Sequence, residues 1–283
     1  MGNITTNMAI PEFTKNIITS QPIVIPVFHE VAIKLLQMMK DNSYRIEDVI
    51  ILVHADPALA SKMLKYANST YYSGKTPIAT IKNAIIRLGS QQIVNLAFSA
   101  SMENTKSDNP VINSLMKDLW HHCHKVAKIG AYLALKISRD KNMPELNHDE
   151  VYLAGLLHEI GKLYLLKVID KLTTSDVIHP DNNLIVNIIV ELNIEQGIKI
   201  MKHNNMPEIY TNILSSLSDD NWKCGLNDYF VATVRLADKL HYCIEQDIDI
   251  ADSIDTCNIS DELTFLDLTD VSELYDIVKT IID

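Results

Sequence analysis

The sequence predicts an all-α fold made of two helical lobes. Apolar residues recur at three- to four-residue spacing along most of the chain, and the alternation typical of strands is nearly absent. Capping residues precede many of these periodic stretches. The 283 residues are 47% hydrophobic and 22% charged, with 8 Gly and 9 Pro, so the chain can build a sizeable core and is neither collagenous nor largely disordered.

In the first lobe, turn and capping residues divide the apolar pattern into separate helices. Asp56 supplies an N-cap oxygen and Pro57 a fixed first φ angle for one helix. Thr80 can cap the next helix, and Gly89 can end it in a left-handed conformation. The predicted helices span residues 27–39, 46–53, 58–67, 81–88 and 91–102.

A polar stretch at 103–110 is the predicted boundary between the lobes. The first lobe is assigned to residues 20–105 and the second to 111–217, between an N-terminal extension, 1–19, and a C-terminal extension, 218–283. We expect the C-terminal extension to complete the second lobe. Beyond the boundary the predicted helices are 111–139, 148–172, 184–201, 207–217 and 228–244, followed by one that Asp270 and Glu273 would cap.

The net charge of −11 is concentrated at the end of the sequence. Residues 245–283 contain 12 acidic side chains and one basic one, Lys279, whereas the remainder is balanced. A neutral body with an acidic end disfavours binding to nucleic acids or anionic membranes. The helix–Gly–helix arrangement around Gly89 is typical of some DNA-binding motifs, but its second helix has no Lys or Arg and indicates ordinary packing. The acidic residues either solvate outer helix faces or form a docking surface.

Targeting signals and cysteines indicate the compartment. Residues 1–15 carry no secretory signal, and no apolar run approaches the roughly 18 residues of a membrane span. We therefore expect a cytoplasmic protein without membrane contact. The cysteines are far apart and form no CxxC pair, so they are expected to be buried, reduced thiols: Cys123, Cys224, Cys243 and Cys257.

The clearest chemical cluster is the adjacent pair His158 and Glu159, which is predicted to lie on one helix among small and apolar residues. Such a pair can present two ligands to a divalent metal ion if other helices contribute more. His122, on an otherwise core-facing helix, and Asp238, within an apolar run, are the candidates. Buried charges in such a setting must be paired, hydrogen-bonded or metal-bound.

This order of residues, a histidine, a histidine with an acidic neighbour and a distant aspartate, resembles the HD superfamily of metal-dependent phosphohydrolases. Motifs of the first lobe and of the pair narrow the resemblance to the HDOD family, the output-domain relatives of HD proteins. These motifs are Asp56-Pro-Ala-Leu-Ala60, Leu64-Lys-Tyr-Ala-Asn-Ser69, Ile81-Lys-Asn-Ala-Ile-Ile-Arg-Leu-Gly89, Trp120 and Gly155-Leu-Leu-His-Glu-Ile-Gly-Lys162.

The resemblance implies an all-helical bacterial signal-transduction domain whose second lobe is an HD-type helical bundle. Such domains often occur beside receiver or cyclic-dinucleotide modules. The resemblance also implies that the first metal ligand is His122, the signature pair is His158 and Glu159, and the terminal acid is Asp238. No cofactor is expected, and a single divalent metal ion is the alternative left open.

The sequence departs from the HD pattern at two places. Glu159 stands where the hallmark pair has Asp, and one extra methylene moves the carboxylate relative to the histidine. HD enzymes carry further histidines between the pair and the last acid, whereas this chain has Asn193, Ser215 and Ser216 there. A two-metal hydrolytic centre is therefore not expected. The four residues are interpreted as a buried hydrogen-bonded network, with weak binding of a single ion as the alternative.

Other histidines are not assigned to the site. His148 and Asp149 form a literal His-Asp dipeptide, but they follow Asn147 at a predicted helix start and are interpreted as part of a helix cap. No partner is identified for His241.

These observations favour a stand-alone, non-catalytic HDOD protein for signal transduction or regulation. Its expected partners are another protein or a small signalling ligand bound in the groove between the lobes, and its oligomeric state is left open. The alternative is a metal-dependent HD-type phosphohydrolase that acts on a nucleotide or cyclic dinucleotide.

Overall fold

The computed structural model describes residues 10–23, 29–40, 44–70, 72, 76–103, 105–141, 143, 145–217, 219, 222–225, 228–248, 254 and 256–282. Within these ranges the chain is all-α, as predicted, with no strand, and fourteen helices have described bounds. The helices are α1 (Glu12–Thr19), α2 (Glu30–Lys40), α3 (Ile46–His54), α4 (Pro57–Ala67), α5 (Ile81–Leu88), α6 (Ser90–Glu103), α7 (Pro110–Lys141), α8 (His148–Leu157), α9 (Ile160–Thr174), α10 (Asn182–His203), α11 (Glu208–Leu217), α12 (Tyr229–Glu245), α13 (Ser260–Leu266) and α14 (Val271–Ile282).

Helices α2 to α6 lie within the residues predicted to form the first lobe, and the predicted caps of α4 and α5 are present. Asp56 Oδ1 accepts the backbone N–H groups of Ala58 and Leu59, and Thr80 Oγ1 caps α5 in a similar way. Gly89 ends α5 with a φ of +78°, which a residue with a side chain would adopt only with strain. These local signals therefore fix the lengths of α4 and α5.

The core of the first lobe is built from the apolar faces of these helices. Leu35, Met63, Ile93 and Phe98 are completely buried there. The helix predicted at 27–39 is found as α2, which begins at Glu30 and ends at Lys40. Its predicted first residues fall in 24–28, outside the described ranges.

Helix α7 is the longest helix of the described chain, and it packs against α8, α9, α12 and α14. Two glycines allow close packing around it. A Cβ on Gly155 would collide with the backbone of Ala127 on α7, and a Cβ on Gly161 would collide with the backbone of Asn193 on α10. The turn between α8 and α9 is therefore held tightly between α7 and α10.

The predicted helix at 148–172 is wrong in one respect, because it is interrupted at the His158–Glu159 pair. Helix α8 ends at Leu157 and α9 begins at Ile160, with Glu159 at φ −118° and ψ 26°. The His158 ring donates from Nδ1 to the carbonyl oxygen of Gly155, 2.7 Å away, so the side chain satisfies a carbonyl at the helix end. Consecutive residues on a helix point in different directions, whereas this turn aims both side chains at one place.

The C-terminal extension is folded against the second lobe. Helix α13 packs on α12, and α14 packs on α7 and α12. Glu262 of α13 is buried and accepts hydrogen bonds from Arg235 Nε at 2.9 Å and Lys239 Nζ at 2.7 Å. Other acidic residues, including Asp261 and Asp276, are exposed on outer faces. These contacts support the proposal that the extension completes the second lobe.

The expectation of four reduced thiols is wrong for two cysteines. Cys243, near the end of α12, and Cys257 form a disulfide, because the chain returns to α12 within 14 residues. Cys123 is a buried free thiol, and Cys224 is a half-buried one. No helix in the described ranges is both long and apolar enough to cross a membrane.

Candidate metal centre

The four predicted site residues come together in the second lobe and its C-terminal extension. His122 projects from α7, His158 and Glu159 from the turn between α8 and α9, and Asp238 from α12. His122 Nε2 lies 3.1 Å from His158 Nε2, 3.3 Å from Asp238 Oδ1 and 3.6 Å from Glu159 Oε2. His158 Nε2 lies 3.5 Å from Asp238 Oδ1. Residues that are 116 positions apart in sequence thus form one compact cluster.

The tautomer of His158 follows from its hydrogen bond to Gly155. A carbonyl oxygen only accepts, so His158 Nδ1 carries a proton and Nε2 is the nitrogen that faces His122 and Asp238. Burial lowers the pKa of His158, but hydrogen bonds with Asp238 and Cys123 outweigh burial and hold the pKa well above its ordinary value. These hydrogen bonds therefore favour the protonated, positively charged form of His158 beside the carboxylate of Asp238.

The two carboxylates are ionised in return. Burial raises the pKa of Asp238, but hydrogen bonds from His122 and His158 hold it well below its ordinary value. Burial also raises the pKa of Glu159, but the positive charge of Lys162, followed by interactions with His158 and His122, lowers it by more. Lys162 Nζ contacts Glu159 Oε1 directly. The cluster is thus a chain of alternating charges, in which each buried ion has a partner.

His241 belongs to this cluster, although the sequence reasoning found no partner for it. Its Nδ1 lies 3.1 Å from His122 Nδ1, and its side chain is completely buried on α12. Burial lowers the pKa of His241 to about 4, and electrostatic interactions with the neighbouring His122 and Lys125 act in the same direction. The signal that could have found it is its spacing, because a residue three positions after Asp238 lies on the same helix face.

The residues that stand where HD enzymes carry further histidines do not contribute to the cluster. Asn193 Nδ2 donates to Ile189 O, and Ser215 Oγ donates to Thr211 O, each within its own helix. Ser216 likewise bonds to its own helix. His148 and Asp149 are at the start of α8, where Asn147 Oδ1 accepts the Asp149 N–H at 2.8 Å, as the cap interpretation predicts.

A cavity of about 490 Å³ opens directly above the cluster. His122, Glu159, Lys162 and Asp238 form its floor, and aliphatic side chains form much of its walls. These are Leu115, Leu119, Leu166, Val186, Ile189 and Val190. The cavity lies between α7, α9, α10 and α12. It is therefore within the second lobe and not in the groove between the two lobes, where the sequence analysis expects the ligand.

The spacing of the donor atoms fits one divalent ion. His122 Nε2, His158 Nε2 and Asp238 Oδ1 form a triangle with edges of 3.1, 3.3 and 3.5 Å. Ligands about 2.1 Å from a common ion, at tetrahedral or octahedral angles, are about 3.0–3.4 Å apart. Two histidines and one carboxylate are also a ligand set that first-row transition metals accept. His122, His158 and Asp238 therefore fit a single ion.

The sequence of the chain identifies its family. A model of the HDOD domain matches residues 25–213, which is more than half of the chain. The chain belongs to the HDOD family. This assignment covers the first lobe, the His122 helix and the His158–Glu159 turn, whereas Asp238 and His241 lie beyond the matched residues.

Solved structures share the HDOD fold at low sequence identity. A candidate metal-dependent phosphohydrolase from Shewanella amazonensis SB2B is 19% identical, with a TM-score of 0.69 over 96% of this chain and 97% of that one. An HDOD domain protein of unknown function from Geobacter sulfurreducens is 20% identical, with a TM-score of 0.57 over 90% and 93%. A candidate signal transduction protein from Marinobacter aquaeolei VT8 is 20% identical, with a TM-score of 0.55 over 98% and 62%.

A curated relative matches about half of the chain by sequence. An uncharacterised protein of Treponema pallidum (strain Nichols) is 23% identical over 143 residues, which are 49% of this chain. The match spans about a quarter, 26%, of that relative's length.

Proposed function

We propose that this HDOD chain is a non-catalytic regulatory protein whose second-lobe cavity binds a small signalling ligand above a single divalent ion. The observation that carries the proposal is the cavity itself, with aliphatic walls and a floor of convergent ionisable side chains. Ligand sites typically combine apolar walls with a few polar groups that fix orientation. A family resemblance alone would be a weak argument for function.

The ion would be held by His122, His158 and Asp238. Once bound, it supplies a Lewis acid that attracts an anionic oxygen of the ligand. Glu159 is outside this group of donor atoms, and its carboxylate is paired with Lys162. The protein's own part is to hold the two Nε2 atoms and one carboxylate oxygen at fixed spacing and to cover the ligand with apolar walls.

The charges of the cavity argue against hydrolysis of a phosphate ester. Its two lysines already have carboxylate partners, Glu159 for Lys162 and Glu262 for Lys239. The described cavity lining also contains four carboxylates, those of Asp118, Glu159, Asp238 and Glu245. Phosphoryl transfer needs cationic groups aimed at the developing negative charge, and these lysines are committed elsewhere.

The second candidate is a metal-dependent phosphohydrolase that acts on a nucleotide or cyclic dinucleotide. The fit of the donor triangle to one ion favours it, because such an ion can lower the pKa of bound water. The name of the Shewanella amazonensis structure points to the same class of chemistry.

A binding titration and a turnover assay on the full chain separate the two candidates. Zn²⁺ alone is titrated into wild-type protein and into His158→Ala, and both are then assayed with bis(p-nitrophenyl) phosphate and with a cyclic dinucleotide. The proposal expects wild-type protein to bind one Zn²⁺ per chain and His158→Ala to bind none. With Zn²⁺ or Mn²⁺ present, the two proteins should show the same background turnover. Turnover by wild-type protein that disappears in His158→Ala would establish the phosphohydrolase instead.

Protein partners are a second role for the same face. Val190 and Tyr242 are 69% and 47% exposed, and both line the cavity. Exposed apolar residues beside a binding cavity are suited to contact with another protein that reads whether the ligand is bound.

A further inference from the structure

We propose that His241 is a positioning residue for the ion. Its Nδ1 accepts a hydrogen bond from the Nδ1–H of His122, which keeps the His122 proton on Nδ1 and leaves His122 Nε2 unprotonated for coordination. This inference rests on the single-ion site proposed above. His241 does not itself touch the ion, and its role is to hold the His122 proton on Nδ1.

The argument begins with the two nitrogens of His122. Its Nε2 is a corner of the donor triangle, 3.1 Å from His158 Nε2 and 3.3 Å from Asp238 Oδ1. A neutral imidazole that coordinates through Nε2 carries its proton on Nδ1. His122 Nδ1 lies 3.1 Å from His241 Nδ1, which is within hydrogen-bond distance.

His158 provides the comparison within the same site. It too has Nε2 in the triangle, and its Nδ1–H donates to Gly155 O. Metal-bound histidines almost always donate their second ring N–H to a fixed acceptor, which sets the tautomer and orients the ring. For His158 that acceptor is a backbone carbonyl, and for His122 it is the His241 ring.

The surroundings of His241 suit an acceptor at Nδ1. If Nδ1 accepts, the proton of the neutral His241 ring sits on Nε2, which lies 3.5 Å from Glu245 Oε1. Among the described residues, this buried Nε2 makes no hydrogen bond, and the Glu245 carboxylate is a charged group that a small side-chain movement would bring within hydrogen-bond distance of it. Asp238, His241 and Glu245 follow one another at helical spacing on α12, so one helix face carries the ligand, the orienting ring and a terminal carboxylate.

A second ion between His122, His241 and Glu245 is the competing interpretation, since their donor atoms lie within 4.8 Å of one another. That arrangement requires His122 to lose both ring protons and to bridge two cations. It also relies on Glu245, whose side chain is 46% exposed. A hydrogen bond between His122 and His241 needs neither condition, and we therefore favour the positioning role.

Two substitutions at His241 separate positioning from packing. His241→Asn places an amide oxygen close to the position of Nδ1 and keeps an acceptor, whereas His241→Leu fills the site with an apolar side chain and removes the acceptor. We expect Zn²⁺ affinity, measured by calorimetry, to fall about 10–100-fold in His241→Leu. His241→Asn is expected to bind Zn²⁺ nearly as well as wild-type protein.

The unfolding midpoint in EDTA is measured for the same proteins. A merely structural role would lower the midpoint of both variants and leave the affinity of their folded forms unchanged. Equal Zn²⁺ affinity in wild-type protein and His241→Leu would overturn the positioning role while leaving the ion site intact. Failure of wild-type protein to bind Zn²⁺ any better than His158→Ala would instead overturn the ion site, and the positioning role with it.

Nitrogen NMR of the histidine rings gives a readout that does not depend on affinity. In the Zn²⁺-loaded protein, we expect a proton on His122 Nδ1 and none on His241 Nδ1. Glu245→Gln is the matched control, and it should keep a stoichiometry of one Zn²⁺ per chain. A proton on His241 Nδ1, or two Zn²⁺ per chain with one lost in Glu245→Gln, would contradict the proposal.

Discussion

Among the described residues, buried histidine and charged side chains occur in the second lobe and its C-terminal extension and not in the first lobe. The buried polar residues of the first lobe, Asn95 and Ser101, do not ionise, and each donates a hydrogen bond to a backbone carbonyl. Beside the second-lobe cavity, His158, His241 and Glu262 are buried and ionisable. Burying such groups is unfavourable unless they are paired. The first lobe therefore shows that the fold does not require buried ionisable side chains. The second lobe carries them in addition, and this is the region in which we expect a binding role.

The largest expected effect comes from breaking the buried ion pairs of the second lobe. Glu262→Ala leaves Arg235 and Lys239 without their carboxylate, and we expect the free energy of unfolding to fall by about 3–5 kcal/mol. Urea denaturation measures the loss. Asp261→Ala, at an exposed neighbouring position, is the control and should change stability by less than about 0.5 kcal/mol. A similar result for the two variants would remove the contrast between buried and exposed charges.

An apolar truncation in the first lobe should destabilise the protein without affecting the site. Met63 is completely buried, and Met63→Ala is expected to cost about 2–5 kcal/mol in urea denaturation because it removes packing and leaves a cavity. Zn²⁺ affinity at a temperature where the variant remains folded should equal that of wild-type protein. A large loss of affinity would show that the two lobes are coupled.

The Asp56 cap of α4 gives a smaller effect that depends on pH. Burial raises the pKa of Asp56, but hydrogen bonds from the Leu59 N–H and from His29 lower it by a larger amount. The pKa of Asp56 therefore lies below its ordinary value. The ionised cap therefore stabilises the folded protein above about pH 4, and this stabilisation is lost as the pH falls through the folded pKa. Asp56→Ala should cost about 1 kcal/mol at pH 7 and less in acid.

The control for this prediction is Asp56→Asn, which keeps a neutral cap oxygen. Its stability difference from Asp56→Ala should not change with pH over the range in which only Asp56 titrates. A cost of Asp56→Ala that grows as the pH falls has the wrong sign for a lowered pKa.

The smallest effect is expected at an exposed ion pair of the second lobe. Lys199 lies 2.6 Å from Glu195, four residues earlier on α10. Lys199→Ala should reduce stability by only about 0.3–0.5 kcal/mol, and less in high salt, because water and ions screen the pair. Thermal unfolding at two salt concentrations checks this. A loss comparable to that of Glu262→Ala would show that burial does not decide the strength of these pairs.

The elements of the fold could be predicted because their signals are local. The cap at Asp56 and the glycine end at Gly89 act within one helical turn, and both are found where the sequence places them. The break after α8 was not predicted, because it depends on the His158 ring reaching Gly155 and on the contact of Gly155 with α7. An apolar pattern does not record such contacts.

The candidate site was predicted in part. The order of His122, His158, Glu159 and Asp238 was enough to expect them together, because the resemblance supplied their spatial relation. His241 was missed because the resemblance assigns it no role, and its contact with His122 is visible only in the folded chain. The pairing of Cys243 with Cys257 was missed for a related reason, since proximity after a turn of the chain is not visible in separations along the sequence.

The most direct test of a single ion site at the floor of the second-lobe cavity is anomalous diffraction from a crystal of the full chain grown with Zn²⁺. We predict one anomalous peak in the second-lobe cavity, about 2.0–2.2 Å from His122 Nε2, His158 Nε2 and an Asp238 oxygen. Two peaks bridged by His122, or a cavity floor without a peak at saturating Zn²⁺, would contradict it.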